Sequence, residues 1–120
     1  MSGSSPVRFS VSRSRPSEGV AVLALHGELD FGDAPALENM LRDEFADGSR
    51  AVLLDLSALE FVDSSGINTL VHASRLAARE GKHFGVSSPT DHVRQVFEIL
   101  RLRDVVRVDD TLDSALRRIG

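Results

Sequence analysis

Residues 7–14 (VRFSVSRS) alternate apolar Val7, Phe9 and Val11 with polar neighbours, the period-two pattern of a half-buried edge strand. Pro16, Ser17, Glu18 and Gly19 supply a turn. The next run, VAVLALHGELD, is more continuously apolar and reads as an interior strand, antiparallel to the first. A helix is predicted from near Asp33, a good N-cap, with Pro35 tolerated in its first turn. Leu37, Met40, Leu41, Glu44 and Phe45 then recur at helical spacing, so one face is mostly apolar, and Gly48 is placed to end the helix. AVLLDL, residues 51–56, is a dense apolar strand of the kind buried on both faces, followed by a loop, SALEFVD.

From Ser64 to about Glu80 the helix period returns in Ile67, Leu70, Val71, Ser74, Ala77 and Ala78, with Gly81 as C-cap. HFGVSS reads as a strand. Pro89-Thr90-Asp91 opens a third helix with Val93, Val96, Phe97 and Leu100 on its buried side. VVRV is a short last strand, and DTLDSALRRI a final helix started by Asp110 or Thr111. Strands alternating with helices imply parallel neighbours joined by right-handed crossovers. The expected fold is α/β: a single mixed β-sheet of about five strands, antiparallel in its N-terminal pair and otherwise mostly parallel, with about four helices packed on it. Residues 7–120 form one domain and residues 1–6 a loose tail.

Composition narrows the function. A chain of 120 residues with 42% hydrophobic and 27% charged residues is one soluble globular domain. It has no cysteine, hence no disulfide, thiolate metal site or thiol nucleophile, which suits a reducing cytoplasm. No apolar run is long enough for a membrane span, and the polar N-terminus lacks a signal-peptide centre. The net charge of −4, with basic residues scattered and neither Trp nor Tyr present, offers no nucleic-acid footprint.

Catalytic and cofactor chemistry finds little support. His26, His72, His83 and His92 stand singly in different elements, without metal-ligand spacing, and GxGxxG and GxxxxGK[ST] are both absent, so no metal or cofactor is expected. Asp30, Asp55 and Asp63 lie near predicted strand ends and could form a carboxylate pair, but no histidine or lysine is tied to them; caps and turns are the simpler role. Neither Ser64 nor Ser65 sits in a G-x-S-x-G elbow. A non-enzymatic protein is expected.

One stretch asks for more. FVDSSGINT places Asp63, two hydroxyls and Gly66 where a buried strand hands over to a helix. Helix capping needs one side chain, and three candidates are present.

VLLDLSALEFVDSSGINTL resembles the signature of bacterial anti-sigma factor antagonists, the STAS-domain proteins. HGELDFGDAPAL is similar to the family's other recurring element, a strand ending in G-x-L-D, and SPTDHVRQVFEILRLRDVVRVDDTLDSAL to its C-terminal third; together they cover residues 7–118 in matching order. The resemblance implies a partner switch. The unphosphorylated antagonist binds an anti-sigma factor that is also an ATP-dependent serine kinase, and so frees the sigma factor. Phosphorylation of the serine before the glycine ends that binding, and a serine phosphatase resets it. By matching position the phosphoacceptor is Ser65, with Ser64 the less favoured neighbour. Asp30, Asp63, Ser64, Gly66 and Asn68 fall on the implied partner surface. A cytoplasmic protein, monomeric when free and without nucleic-acid or membrane partners, is expected.

Two positions depart from the family pattern. Asn68 stands where a small residue is usual, which bears on partner identity. Arg101 stands where a glycine often ends the third helix; if that backbone needs positive φ, arginine costs about 1 kcal/mol there. The competing reading is a STAS binding module in another assembly. The full DSSG motif and the lack of a membrane span count against a sulphate transporter, and the lack of an N-terminal sensor domain against a stress-signalling scaffold. A lipid-transport complex is the remaining variant. An enzyme with a pocket of Asp30, Asp63 and Ser65 is the third reading.

Overall fold

A computed structural model describes residues 8–120; the expected tail and Val7 lie outside the described residues. The elements are β1 (Ser10–Ser17), β2 (Val20–Leu29), α1 (Ala34–Ala46), β3 (Ala51–Val62), α2 (Ser64–Arg79), β4 (His83–Ser87), α3 (Asp91–Ile99), a 3₁₀ turn (Leu102–Asp104), β5 (Arg107–Asp109) and α4 (Leu112–Ile119). The five strands lie in sequential order; β1 is antiparallel to β2, and β2 through β5 are parallel. The expected α/β architecture is the observed one.

Alternation along the central strands divides the sheet into two faces. Leu23, Leu25, Leu54 and Leu56 point into the main core with Leu37, Leu41 and Phe45 of α1, Leu70 and Ala77 of α2, and Val93 and Phe97 of α3. Val22 and Leu53 point the other way, against Ala115 of α4. Each Leu or Phe so buried contributes roughly 1.5–3 kcal/mol of transfer free energy.

Several element boundaries differ from expectation. Strand β1 continues through Pro16 to Ser17, leaving only Glu18 and Gly19 as the turn, with Gly19 at φ +77°. Pro16 is tolerated because β1 is an edge strand and its register against β2 slips between Ser14 and Ser17. The SALEFV loop is instead strand: β3 runs on to Val62 beside β2, pairing Ala58 with His26 and Val62 with Leu29. Two register irregularities break its alternation, which is why the segment does not read as strand.

On α2, Ala73 is buried and Ala78 exposed, while Ser74 donates to the carbonyl of Val105 at 2.8 Å. Leu100 is half-exposed rather than buried: α3 stops at Ile99, Arg101 takes a left-handed conformation (φ 54°, ψ 42°), and Leu102 occupies the core instead. The last strand starts two residues later than its apolar pattern suggests. Of the two candidate caps of α4, Thr111 serves, its hydroxyl accepting from the Ser114 amide at 3.0 Å.

Glu44, on the mostly apolar face of α1, is fully buried. Its carboxylate meets Arg13 at 2.8 Å and Arg15 at 2.9 Å, both from β1. Ser49 also donates to it at 3.3 Å. A buried charge needs such partners, and here they bind the edge strand to α1.

Candidate functional site

The site lies where β2 and β3 end side by side. Leu29 and Val62 are paired, and the Asp63 amide donates to the Leu29 carbonyl at 3.2 Å. At this point Asp63 leaves the sheet in an extended conformation and caps α2: its Oδ1 accepts from the Gly66 amide at 3.0 Å. Its Oδ2 accepts from the Phe31 amide at 3.1 Å. One carboxylate therefore holds both the start of α2 and the loop that leads into α1.

Gly66 is buried, and its lack of a side chain is required. A Cβ there would lie 2.6 Å from Cγ2 of Val62 and 2.9 Å from Cγ of Leu29, the two residues that end the paired strands. The glycine lets the first turn of α2 settle directly on the sheet.

With Asp63 as the cap, the two serine hydroxyls are released from that duty. Ser64 is exposed and Ser65 half-exposed, and neither hydroxyl bonds to another described residue; Ser65 is engaged through its backbone carbonyl, which accepts from Thr69 Oγ1 at 3.2 Å. Ser65 and exposed Asn68 line a shallow open groove whose far wall includes Phe31, Pro35 and Asn39.

Asp30 sits at the other side of the handover. Its Oδ1 accepts from the Gly32 amide at 2.9 Å, and its carbonyl accepts from the amides of Asp33 and Ala34 at 3.0 and 2.9 Å. Asp33 thus occupies the N-cap position of α1 without capping it by its side chain, contrary to the sequence expectation; the Asp30 carbonyl takes the free amides instead. Partial desolvation, then the charge of Asp30 and a hydrogen bond to it, raise the Asp33 carboxyl above its ordinary pKa.

All three sequence-selected carboxylates bind backbone amides: Asp30 and Asp63 as above, and Asp55 that of Ser57 at 3.0 Å. Asp30 and Asp63 directly follow the ends of β2 and β3, whereas Asp55 lies inside β3. The histidines are spread as well. His26 lies 3.3 Å from Ser12 Oγ, His72 3.7 Å from Glu38, His92 stacks on Phe61, and His83 is exposed at the start of β4. Among the described residues no group of three or more His, Asp or Glu could hold a metal ion, and no helix is long and apolar enough to cross a membrane.

Phe31 is the site residue that sequence patterning missed. It is 76% exposed, unusual for so large an apolar side chain, and directly follows the G-x-L-D strand end. A bulky apolar residue just after a strand terminus was the available signal.

Residues 13–115 match the STAS domain family, to which the chain therefore belongs. Among its relatives is the anti-sigma-F factor antagonist RsfB of Mycobacterium tuberculosis, 37% identical over 98 residues that span 82% of this chain and 80% of RsfB. An anti-sigma factor antagonist from Mycobacterium paratuberculosis superposes with a TM-score of 0.83 at 31% identity, covering 92% of this chain and 93% of the other. SpoIIAA in its unphosphorylated form shares the fold, with a TM-score of 0.78 at 22% identity and coverage of 92% and 96%.

Proposed function

We propose that the chain is an anti-sigma factor antagonist that works by partner switching. Unphosphorylated, it binds an anti-sigma factor that doubles as a serine kinase and thereby releases the sigma factor. The kinase phosphorylates Ser65: the serine oxygen takes the γ-phosphoryl group of ATP, ADP leaves with the bridging oxygen, and the hydroxyl proton passes to a base of the kinase. The product no longer binds, and a serine phosphatase restores it. The protein itself catalyses nothing, needs no cofactor, and acts in the cytoplasm as a monomer when free.

The observation that carries this reading is the division of labour in DSSG. Asp63 caps α2, so the half-exposed hydroxyl of Ser65 bonds to no other described residue and opens onto a groove. The partner surface then comprises Ser65, Ser64 and Asn68 together with Asp30 and Asp63, with Gly66 setting the height of the turn. The same reading favours local repulsion over refolding. A phosphate adds about 1.5–2 negative charges. At a helix N-terminus this is stabilising by roughly 0.3–1 kcal/mol, so the helix persists. Buried in an interface beside carboxylates, the same charge repels. A hundredfold loss of affinity requires only about 2.7 kcal/mol.

The test is to purify the protein from its own cells and map phosphate by tandem mass spectrometry, with Ser64→Ala and Ser65→Ala in parallel. Phosphate on Ser65, lost only in Ser65→Ala, is expected. Phosphate on Ser64 instead would move the switch to that residue. A protein unmodified under every growth condition would end the partner-switch reading and leave a STAS binding module of another assembly.

A further inference from the structure

The groove beside Ser65 does not end there. Glu38, Thr69 and His72 line it and also line a second groove, further along the crevice between α1 and α2. Leu76 is the partly exposed apolar residue on the floor of this second groove, with Leu41 and Ala73 buried beneath it, and its rim carries Arg42, Arg75 and Arg79. Arg42 is already committed to Glu38 at 3.0 Å, and that bond holds the Glu38 carboxyl below its ordinary pKa. Arg75 and Arg79, one helical turn apart, have no carboxylate within salt-bridge distance among the described residues. A chain of net charge −4 thus concentrates two guanidinium groups, without a salt-bridge partner among the described residues, beside Leu76 and along the crevice that leads to Ser65.

Resting on the partner-switch reading, we propose that this groove docks an acidic amphipathic segment of the kinase, whose apolar side chains lie on Leu76 and whose carboxylates pair with Arg75 and Arg79. Arginine suits that role because its planar fork matches a carboxylate in two hydrogen bonds. A segment with an apolar stripe and a charged edge is the usual occupant of a groove between helices. Docking there selects the kinase and delivers it to Ser65, while the transfer itself takes place some turns away. Arg75 and Arg79 are specificity residues, not part of the phosphoacceptor site.

The test uses the full chain as substrate for a desalted lysate of its own cells, with radiolabelled ATP, following the initial rate of Ser65 phosphorylation against antagonist concentration. Arg75→Glu/Arg79→Glu is expected to raise the apparent KM at least about tenfold while leaving the maximal rate within about twofold, as charge reversal at a docking contact does. Raising salt from about 50 to 300 mM should raise the wild-type KM but barely change that of the variant, because the attraction being screened is gone. Arg75→Gln/Arg79→Gln, milder for folding, should fall between the two, with an unchanged melting temperature. An unaltered KM in both variants, or a loss confined to the maximal rate, would overturn the docking proposal while leaving the switch standing. Wild-type protein that takes no phosphate on Ser65 would overturn the switch reading and this inference together.

Discussion

The Asp63 carboxylate accepts the backbone amide of Phe31 at 3.1 Å, across a sequence separation of 32 residues, while its other oxygen caps α2 through Gly66. The same group therefore fixes the turn that presents Ser65 and the loop that presents the exposed Phe31 ring. Each oxygen meets one backbone amide, so the carboxylate is satisfied and both elements are held in one register.

Replacing Asp63 should separate these contributions. Asp63→Ala removes the cap and the Phe31 tie and is expected to cost roughly 1–2 kcal/mol, read from urea unfolding. Asp63→Asn keeps one acceptor oxygen and should lose less than half of that. Equal losses in the two variants would show that charge, not hydrogen-bond geometry, dominates.

Gly66→Ala tests the close approach of α2 to the sheet. The added methyl would lie 2.6 Å from Val62 Cγ2, and both that atom and Leu29 belong to packed, fully buried side chains. A loss of about 1–3 kcal/mol is expected from this overpacking, with a shift of the Ser65 amide resonance as α2 is lifted. A fully stable variant with an unmoved resonance would mean the strand ends yield freely.

Asp33 gives a pH dependence with a defined sign. Its pKa is raised in the folded chain by desolvation first and by Asp30 second, so the unfolded chain gives up this proton at lower pH than the folded one. Between those two values rising pH favours the unfolded state, and the penalty persists at neutral pH. Asp33→Asn is therefore expected to be more stable than wild type at pH 7, with the advantage vanishing as pH falls below about 4, the ordinary range of aspartate. Thermal melts across pH 3–8 check this; an advantage constant with pH would contradict the origin given.

Arg101 sits at φ 54° at the end of α3, where a side chain is strained. Arg101→Gly should stabilise the fold by about 1 kcal/mol, since among the described residues its guanidinium makes only one marginal ion pair, 4.0 Å from exposed Asp104. A destabilised variant would give that surface pair more weight than an exposed contact ordinarily has.

Much of the chain could be read directly. Local rules narrow the caps of α2 and α4 to a few neighbouring side chains, of which Asp63 and Thr111 serve, and Ser65 as phosphoacceptor rests on the family resemblance. The order of elements, with the antiparallel start and parallel remainder, follows from periodicity, turn residues and short-range hydrogen bonds. These act over a few residues, so the sequence carries them in plain form. Leu100 and the SALEFV segment misled because a left-handed residue redirected one and register slips disguised the other. What only the tertiary structure decided are relations between distant segments: Glu44 clasped by Arg13 and Arg15 from β1, Phe31 tied to Asp63, and Arg75 and Arg79 aligned with Leu41 across the α1–α2 crevice. In the sequence Glu44 is an interruption of an apolar face and the arginines are scattered charges. Their partners come within reach only when the sheet stacks the elements, because ion pairs and grooves depend on distances in space that no local pattern encodes.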